Sequence, residues 1–321
     1  EVKGGQPVIA DTRLEDNGAS GIRASSSAPT IQDNILANNG SYAAFLQGSV
    51  PDSSAVITGN SGSDNSIDGI GYVGTLQNDI NWPDNEDLPY VVDGKLAVDS
   101  STTLTIEPGS VVKFGLDGDS DESKWLQVRG ELVAEGTAQD SVVFTSIRDD
   151  AYGGDTNGDG SETSPSADDW DYIVFNGGSG SISHAVVRYG GEHKLIDYDG
   201  NTDDFDTGMI FVHDSAPTIT NSRITDGLHA GIEVKGGQPV IEDNRVRQNG
   251  AQGLRLADAE GIVRSNVIRS NDVGVAISGD STPTLGTSSA QGLNDIQNNG
   301  AYGVKNSSSQ TIQAIGNYWG T

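Results

Sequence analysis

The chain has 321 residues, 43 of them glycine, no cysteine, and a formal net charge of −28. That charge repels phosphate backbones and anionic membrane surfaces, which excludes nucleic acid as a partner and makes cations the natural counter-charge. With no cysteine there is no disulfide framework, thiolate nucleophile or zinc–thiolate site, and no apolar run approaches the ~18 residues of a membrane span.

The sequence opens on "EVKGGQPVI" (Glu1–Ile9), and the same nine residues return at Glu233–Ile241. "PVIADTRLEDNG" from Pro7 and "PTIQDNILANNG" from Pro29 start 22 positions apart. The same spacing of 22 separates "PTITNSRITDG" (Pro217), "PVIEDNRVRQNG" (Pro239), "GIVRSNVIRSND" (Gly261) and "PTLG" (Pro283). Apolar residues alternate with period 2 in short runs cut by Gly, Asn, Asp and Pro, and no helical spacing is sustained. Three short strands and three turns in about 22 residues form one rung of an all-β, right-handed parallel β-helix solenoid, with rungs stacked at about 4.8 Å. The expected inward columns are Ile219, Ile224 and Ile232; Ile241, Val246 and Leu254; and Ile262, Ile268 and Val275. Recurrent Asn34, Asn244 and Asn266 fit tight inter-strand turns, where Asn tolerates left-handed backbone and stacks in ladders.

The expected organisation is 1–75 as final rungs of one β-helix unit, 76–205 as opening rungs of the next with acidic loop insertions, and 206–321 as regular rungs, all compatible with one continuous solenoid. In the middle segment "LAVDSSTTLTIEPGSVVKF" still alternates, with Leu104, Ile106, Val111 and Phe114 as core. Trp170, in "WDYIVF", is expected to pack at the base of an inserted loop.

The strongest chemical motif is "DTNGDGSET". Oxygen ligands at alternate positions (Asp155, Asn157, Asp159, Ser161) around the permissive Gly160 reproduce the first half of an EF-hand-type calcium loop. The twelfth position is Ser166 rather than Glu, so a bidentate ligand would come from Glu162, Asp168 or Asp169. "DGDSDE" (Asp117, Asp119, Asp121, Glu122) and "DYDGNTDDFD" (Asp197, Asp199, Asn201, Asp203, Asp204, Asp206) follow the same logic, since a divalent cation can reverse the repulsion of crowded carboxylates. Calcium is the expected cofactor; the plain alternative for each run is a solvated acidic loop.

The rungs over 1–60 and 206–305, with a middle that matches in motif order, resemble the right-handed parallel β-helix proteins of the pectate-lyase-like superfamily, in particular large secreted or surface-anchored microbial proteins. The resemblance implies the fold and an extracellular or cell-surface location. It leaves function open, because the same solenoid carries lyases, hydrolases, epimerases, adhesins and inert spacers. A calcium-dependent lyase needs a base beside a calcium–carboxylate site. Arg188, His193 and Lys194 near Asp197 and Asp199 are the available groups, but no lyase pattern maps onto them, so no catalytic residue is assigned. The expected function is a calcium-binding extracellular module with a structural or adhesive role. A calcium-dependent polysaccharide lyase or related carbohydrate-active enzyme is the alternative. Expected partners are a further copy stacked end to end and a polysaccharide or cell-surface glycan. The copy at Glu1 starts within a rung, and the offset of 232 suggests a tandem unit of many rungs in a longer repeating protein.

Overall fold

The computed structural model describes residues 1–50, 55–85, 87–116, 123–191, 193–194 and 205–320, and contains strands, turns and bridges with no helix among these described residues. The chain divides into two compact units, Glu1–Pro165 and Ser166–Thr321.

In the first unit three strands make each rung. The first row stacks Val2–Lys3, Ile22–Ser25, Tyr42–Val50, Ile67–Leu76 and Tyr90–Val98, all parallel. The second row is Val8–Ala10, Thr30–Gln32 and Val56–Thr58, and the third is Arg13–Glu15, Ile35–Ala37 and Ser61–Ser63. Val2 faces Ala24, Val8 faces Thr30 and Arg13 faces Ile35, each 22 positions on. The next rung takes 26 (Thr30 to Val56, Ile35 to Ser61).

Only the first row runs on in one ladder beyond this point. Ile70 pairs with Tyr90 and Tyr90 with Val112, so that row crosses positions 75 and 76 without a break. Ile80–Trp82, Thr103–Ile106 and Glu131–Glu135 instead stack as a separate group. The change of geometry is filled by aromatic rings. Trp82 stacks on Tyr90 at 4.5 Å between centroids and packs 4.9 Å from Tyr72, all three fully buried.

The second unit repeats the three rows more regularly. Ile210, Ile232 and Leu254 stack in the first, Thr218, Val240 and Ile262 in the second, and Arg223, Arg245 and Val267 in the third, all at steps of 22. An insertion before Asp295 lengthens one rung, where Val267 pairs with Asp295. Ile219, Ile224, Ile232, Ile241, Val246, Leu254, Ile268 and Val275 are buried as expected. Ile262 is not: it is 42% exposed and Val263 is inward, because Ile262 is in register with Val240 and Val263 with Ile241. Likewise Leu104, Ile106 and Phe114 are core in the first unit, but Val112 takes the inward place expected of Val111.

Asparagines at two corners of the regular rungs form ladders. The Asn34 side-chain amide donates to Asn60 Oδ1 (3.0 Å) and to the Ile9 carbonyl (2.8 Å), and the Asn34 backbone N–H donates to the same Asn60 oxygen. A second ladder runs Asn17, Asn39, Asn65 and ends on Asp68, whose Oδ1 accepts from the Asn65 amide at 2.7 Å. The second unit carries Asn244–Asn266–Asn294–Asn317 and Asn249–Asn271–Asn299. Each ladder residue satisfies backbone groups that a tight corner would otherwise leave buried and unpaired.

The left-handed residue is not the ladder Asn but the one before it. Asp33, Asp243, Ser265 and Leu293 precede Asn34, Asn244, Asn266 and Asn294 with φ between 54° and 57°. Left-handed backbone is unfavourable for a bulky side chain and tolerable for Asn. Leu293 is moreover 60% exposed and has little packing to lose. Leu293→Asn should therefore stabilise the second unit by about 1 kcal/mol, read as a raised denaturant midpoint at unchanged slope.

The buried phenols of the first unit make its stability sensitive to alkali. Burial is the main cause that holds Tyr42, Tyr72 and Tyr90 well above the usual phenol range, with Asp93 adding at Tyr42 and Tyr72 at Tyr90. Their folded values exceed the unfolded one, so their contribution is intact below pH ~10 and is lost as pH rises further, by up to about 1.4 kcal/mol per unit for each. Ultraviolet titration should show these three tyrosines silent until a cooperative alkaline unfolding; smooth titration of all nine while the fold persists would contradict this.

Candidate cation site at the Asp155 loop

The acidic insertions leave the rungs between successive strands. In the first unit, 115–124 separates Val111–Phe114 from Trp125–Val128, and the Asp155 loop follows Val142–Ser146. In the second, 189–209 separates Ala185–Arg188 from Ile210–His213. Asp117, Asp119, Asp121 and Glu122, and likewise Asp197, Asp199, Asn201, Asp203 and Asp204, lie outside the described residues.

The Asp155 loop is built from turns and positive-φ glycines. Gly153, Gly154, Gly158 and Gly160 have φ of 66–73°, and Asp149 opens the loop by accepting from Thr145 Oγ1 at 2.5 Å and from the Ala151 N–H at 3.3 Å. Two bonds fix the loop to the rungs. The Thr156 carbonyl accepts from the Asp68 N–H (2.8 Å), and the buried Lys113 Nζ donates to the Gly154 carbonyl (2.6 Å). Asp68 therefore joins the end of the second asparagine ladder to the loop.

Within the loop, Asp155 accepts from the backbone N–H of Asp159 (3.1 Å) and of Gly160 (2.7 Å), which curls the chain around its carboxylate. Asn157 Nδ2 donates to Asp159 Oδ2 at 2.8 Å, and Thr163 Oγ1 donates to the same oxygen. These bonds, that of Thr163 first, hold the Asp159 carboxyl below its ordinary range. Burial pushes Lys113 down to about 8 despite the opposing charges of Asp149, Asp150 and Asp155. Asp150 is pushed up by burial and then by the neighbouring Asp155 charge.

Two oxygens in this group have no hydrogen-bond partner although they are shut off from solvent: Asp150 Oδ1 and Asn157 Oδ1. A buried acceptor without a donor costs roughly 1–3 kcal/mol, and a hard cation can satisfy it. The structure thus brings Asp155, Asn157 and Asp159 together in one loop. Ser161 and Glu162 are exposed on its outer turn, their N–H groups bonded to the Asp159 carbonyl. Asp168 belongs to the second unit and is exposed with φ 78°. Among the described residues, no three carboxylate or imidazole groups form a ready ligand set. Sequence reasoning missed Lys113, which reads as a strand residue between Val112 and Phe114, and Asp150. The signal for Asp150 was the Asp149–Asp150 pair five residues upstream of Asp155.

Of the groups considered for lyase chemistry, only the side chain of Arg188 lies among the described ones. Arg188 lies with its guanidinium 4.8 Å from the Tyr189 ring centroid, and its carbonyl accepts from Trp170 Nε1 at 3.0 Å. Trp170 is fully buried, and a Cβ on Gly190 would sit 2.5 Å from its ring. The ring thus packs where the chain leaves for 189–209, as expected for a loop base. No side chain of 192–206 is described.

No curated protein and no solved structure matches this chain. The family described as right handed beta helix region matches residues 2–81 and 173–290, more than half of the 321 residues and both sets of regular rungs. Parallel strands stacked at 22-residue steps, ladders at the corners and this match agree: the chain belongs to the right-handed β-helix family.

Proposed function

We propose that this protein is an extracellular or cell-surface architectural module, with a structural or adhesive role, whose Asp155 loop binds calcium. The observation that carries the calcium reading is the pair of buried, unpartnered oxygens, Asp150 Oδ1 and Asn157 Oδ1, beside Asp155 and Asp159. A calcium ion would take these oxygens with carboxylate oxygens of Asp155 and Asp159, and water would complete its shell. It would also relieve the carboxylate repulsion that Lys113 offsets only in part. The loop is tied to the rungs through Thr156 and Lys113, so ordering it would stiffen the solenoid where its second and third rows change course. Repetition supports the architectural role: the ladders and columns of each unit serve stacking, and tandem copies of the 232-residue spacing would extend it. End-to-end stacking on a further copy and a glycan ligand belong to this reading.

Thermal melting with calcium and with chelator tests it. Calcium at a hundredfold excess over Kd should stabilise by about 2.7 kcal/mol, or about 5–10 °C in Tm for the first unit. Asn157→Ala should remove most of that shift. Equal midpoints with and without calcium would end the calcium reading. Incubation with uronate polymers and calcium should give no new unsaturated-product absorbance; such absorbance, lost on Arg188→Ala, would replace the architectural reading by the lyase.

A further inference from the structure

In a chain of net charge −28, one sheet face is basic. The third row of the second unit, from Ala185–Arg188 through Arg223–Thr225, Arg245–Arg247 and Val267–Arg269, presents Arg188, Arg223, Arg245, Arg247 and Arg269. Register places Arg223 beside Arg245 and Arg247 beside Arg269, about 4.8 Å apart along the stack. Arg245 and Arg247 alternate with the buried Val246, so both point outward, and both are exposed. Neither makes a side-chain hydrogen bond or ion pair among the described residues, whereas Arg269 pairs with Asp295.

The first unit shows that the fold does not require this charge. At the offset of 232, Arg13 corresponds to Arg245, Glu15 to Arg247 and Ala37 to Arg269. The two copies have the same register there, Arg13 on Ile35 and Arg245 on Val267. In the first copy Arg13 is neutralised by Glu15. In the second, an arginine replaces that glutamate and the pair is gone. Like charges side by side on a strand are unfavourable unless something opposite covers them.

The first unit also carries a surface of opposite sign. Its separate stack of Ile80–Trp82, Thr103–Ile106 and Glu131–Glu135 contributes Glu131 and Glu135, with Asp79 and Glu107 at the strand ends, and no Lys or Arg lies in 79–83, 103–107 or 131–135. Beside this face lies a cleft of about 700 Å³, with Asp79, Thr103 and Glu107 on one side and the apolar Val56, Ile57 and Ile80 among its other lining residues, so its negative charge comes from Asp79 and Glu107. From the charge complementarity of the two faces we infer that the arginine face of one copy docks on the acidic cleft face of a second copy. Arg245 and Arg247 enter the cleft and pair with Asp79 and Glu107. The contact is heterologous, so each end of a growing assembly keeps one free face and further copies add until a ring closes or an open chain forms. It depends neither on calcium nor on stacking at the rung ends.

Sedimentation velocity of the full chain over a range of concentrations, at low and at moderate salt, tests this. The wild type should associate at low salt and dissociate as salt screens the faces. Arg245→Glu with Arg247→Glu should weaken association at least about tenfold, and so should Asp79→Lys with Glu107→Lys. Mixing the two double variants should restore it, because the intact cleft of the first meets the intact arginines of the second and the two reversed faces also match each other. All four positions are partly or fully exposed, and unchanged melting curves would show that the variants fold. A monomer under all conditions overturns the inference. Association that survives both reversals also overturns it and points to rung-end stacking instead. Binding of a polyanionic glycan that is lost with the arginine reversal, without self-association, assigns the face to that polymer and equally overturns it.

Discussion

Asn266→Ala will cost the second unit about 4 kcal/mol, a large fraction of what holds a domain of this size together. The Asn266 carboxamide serves four groups. Its Oδ1 accepts from the Asn244 N–H at 3.0 Å and from the Asn244 side-chain amide at 3.1 Å. Its Nδ2 donates to the Ile241 carbonyl at 2.8 Å and to Asn294 Oδ1 at 3.0 Å. Alanine leaves the Asn244 N–H and one amide hydrogen of Asn244 buried and unpaired, at roughly 1–3 kcal/mol each before relaxation, and removes one donor from the Ile241 carbonyl. Asn317→Ala, in the same ladder but partly exposed, should cost less than half as much, because water reaches the groups it abandons. Denaturant unfolding of the two variants checks this; equal losses would mean that burial does not set the value of a ladder rung.

Trp82→Ala will destabilise the first unit by about 4 kcal/mol and leave the second little changed. The indole is fully buried, stacks nearly parallel (5°) on Tyr90 and packs against Tyr72. It fills the space where the second row ceases to be one continuous stack, and no neighbouring rung can supply its volume. The Ser110 hydroxyl also donates to its carbonyl at 3.0 Å, so collapse of the cavity would disturb the rung above. Trp82→Phe, which keeps a stacked ring, should recover more than half of the loss. Melting followed by probes specific to each unit separates this outcome from a uniform loss of stability.

Much of the architecture was legible because neighbours in space in a solenoid are neighbours at a fixed sequence offset. The step of 22 that aligns Pro217, Pro239 and Gly261 is the step that pairs Thr218, Val240 and Ile262. Phase within a strand was less legible where two apolar residues adjoin. In "GIVRS" either Ile262 or Val263 fits a period-2 pattern, and only pairing to Val240 and Ile241 decides. The ladders were visible as recurrent Asn, but the left-handed residue before each varies from Asp to Ser to Leu, so composition alone does not mark it.

The candidate site was legible in part. Alternating oxygens and Gly160 located the loop, and the structure brings Asp155, Asn157 and Asp159 together there. Lys113 and Asp150 enter through tertiary packing, from a strand and from an adjoining turn. The basic face was present in the sequence as the alternation Arg245–Val246–Arg247, and the offset of 232 sets it against Arg13 and Glu15; what the structure adds is the register that places Arg223 and Arg269 beside it.

The most direct test of the calcium-held module is calorimetric titration of calcium into the chelator-stripped chain, comparing the wild type with Asn157→Ala and Asp159→Asn. The loop should bind one ion in the wild type, so each variant should lose one saturable site while its melting without calcium stays close to that of the wild type. Identical isotherms in all three proteins, or no saturable binding in the wild type, would contradict the account.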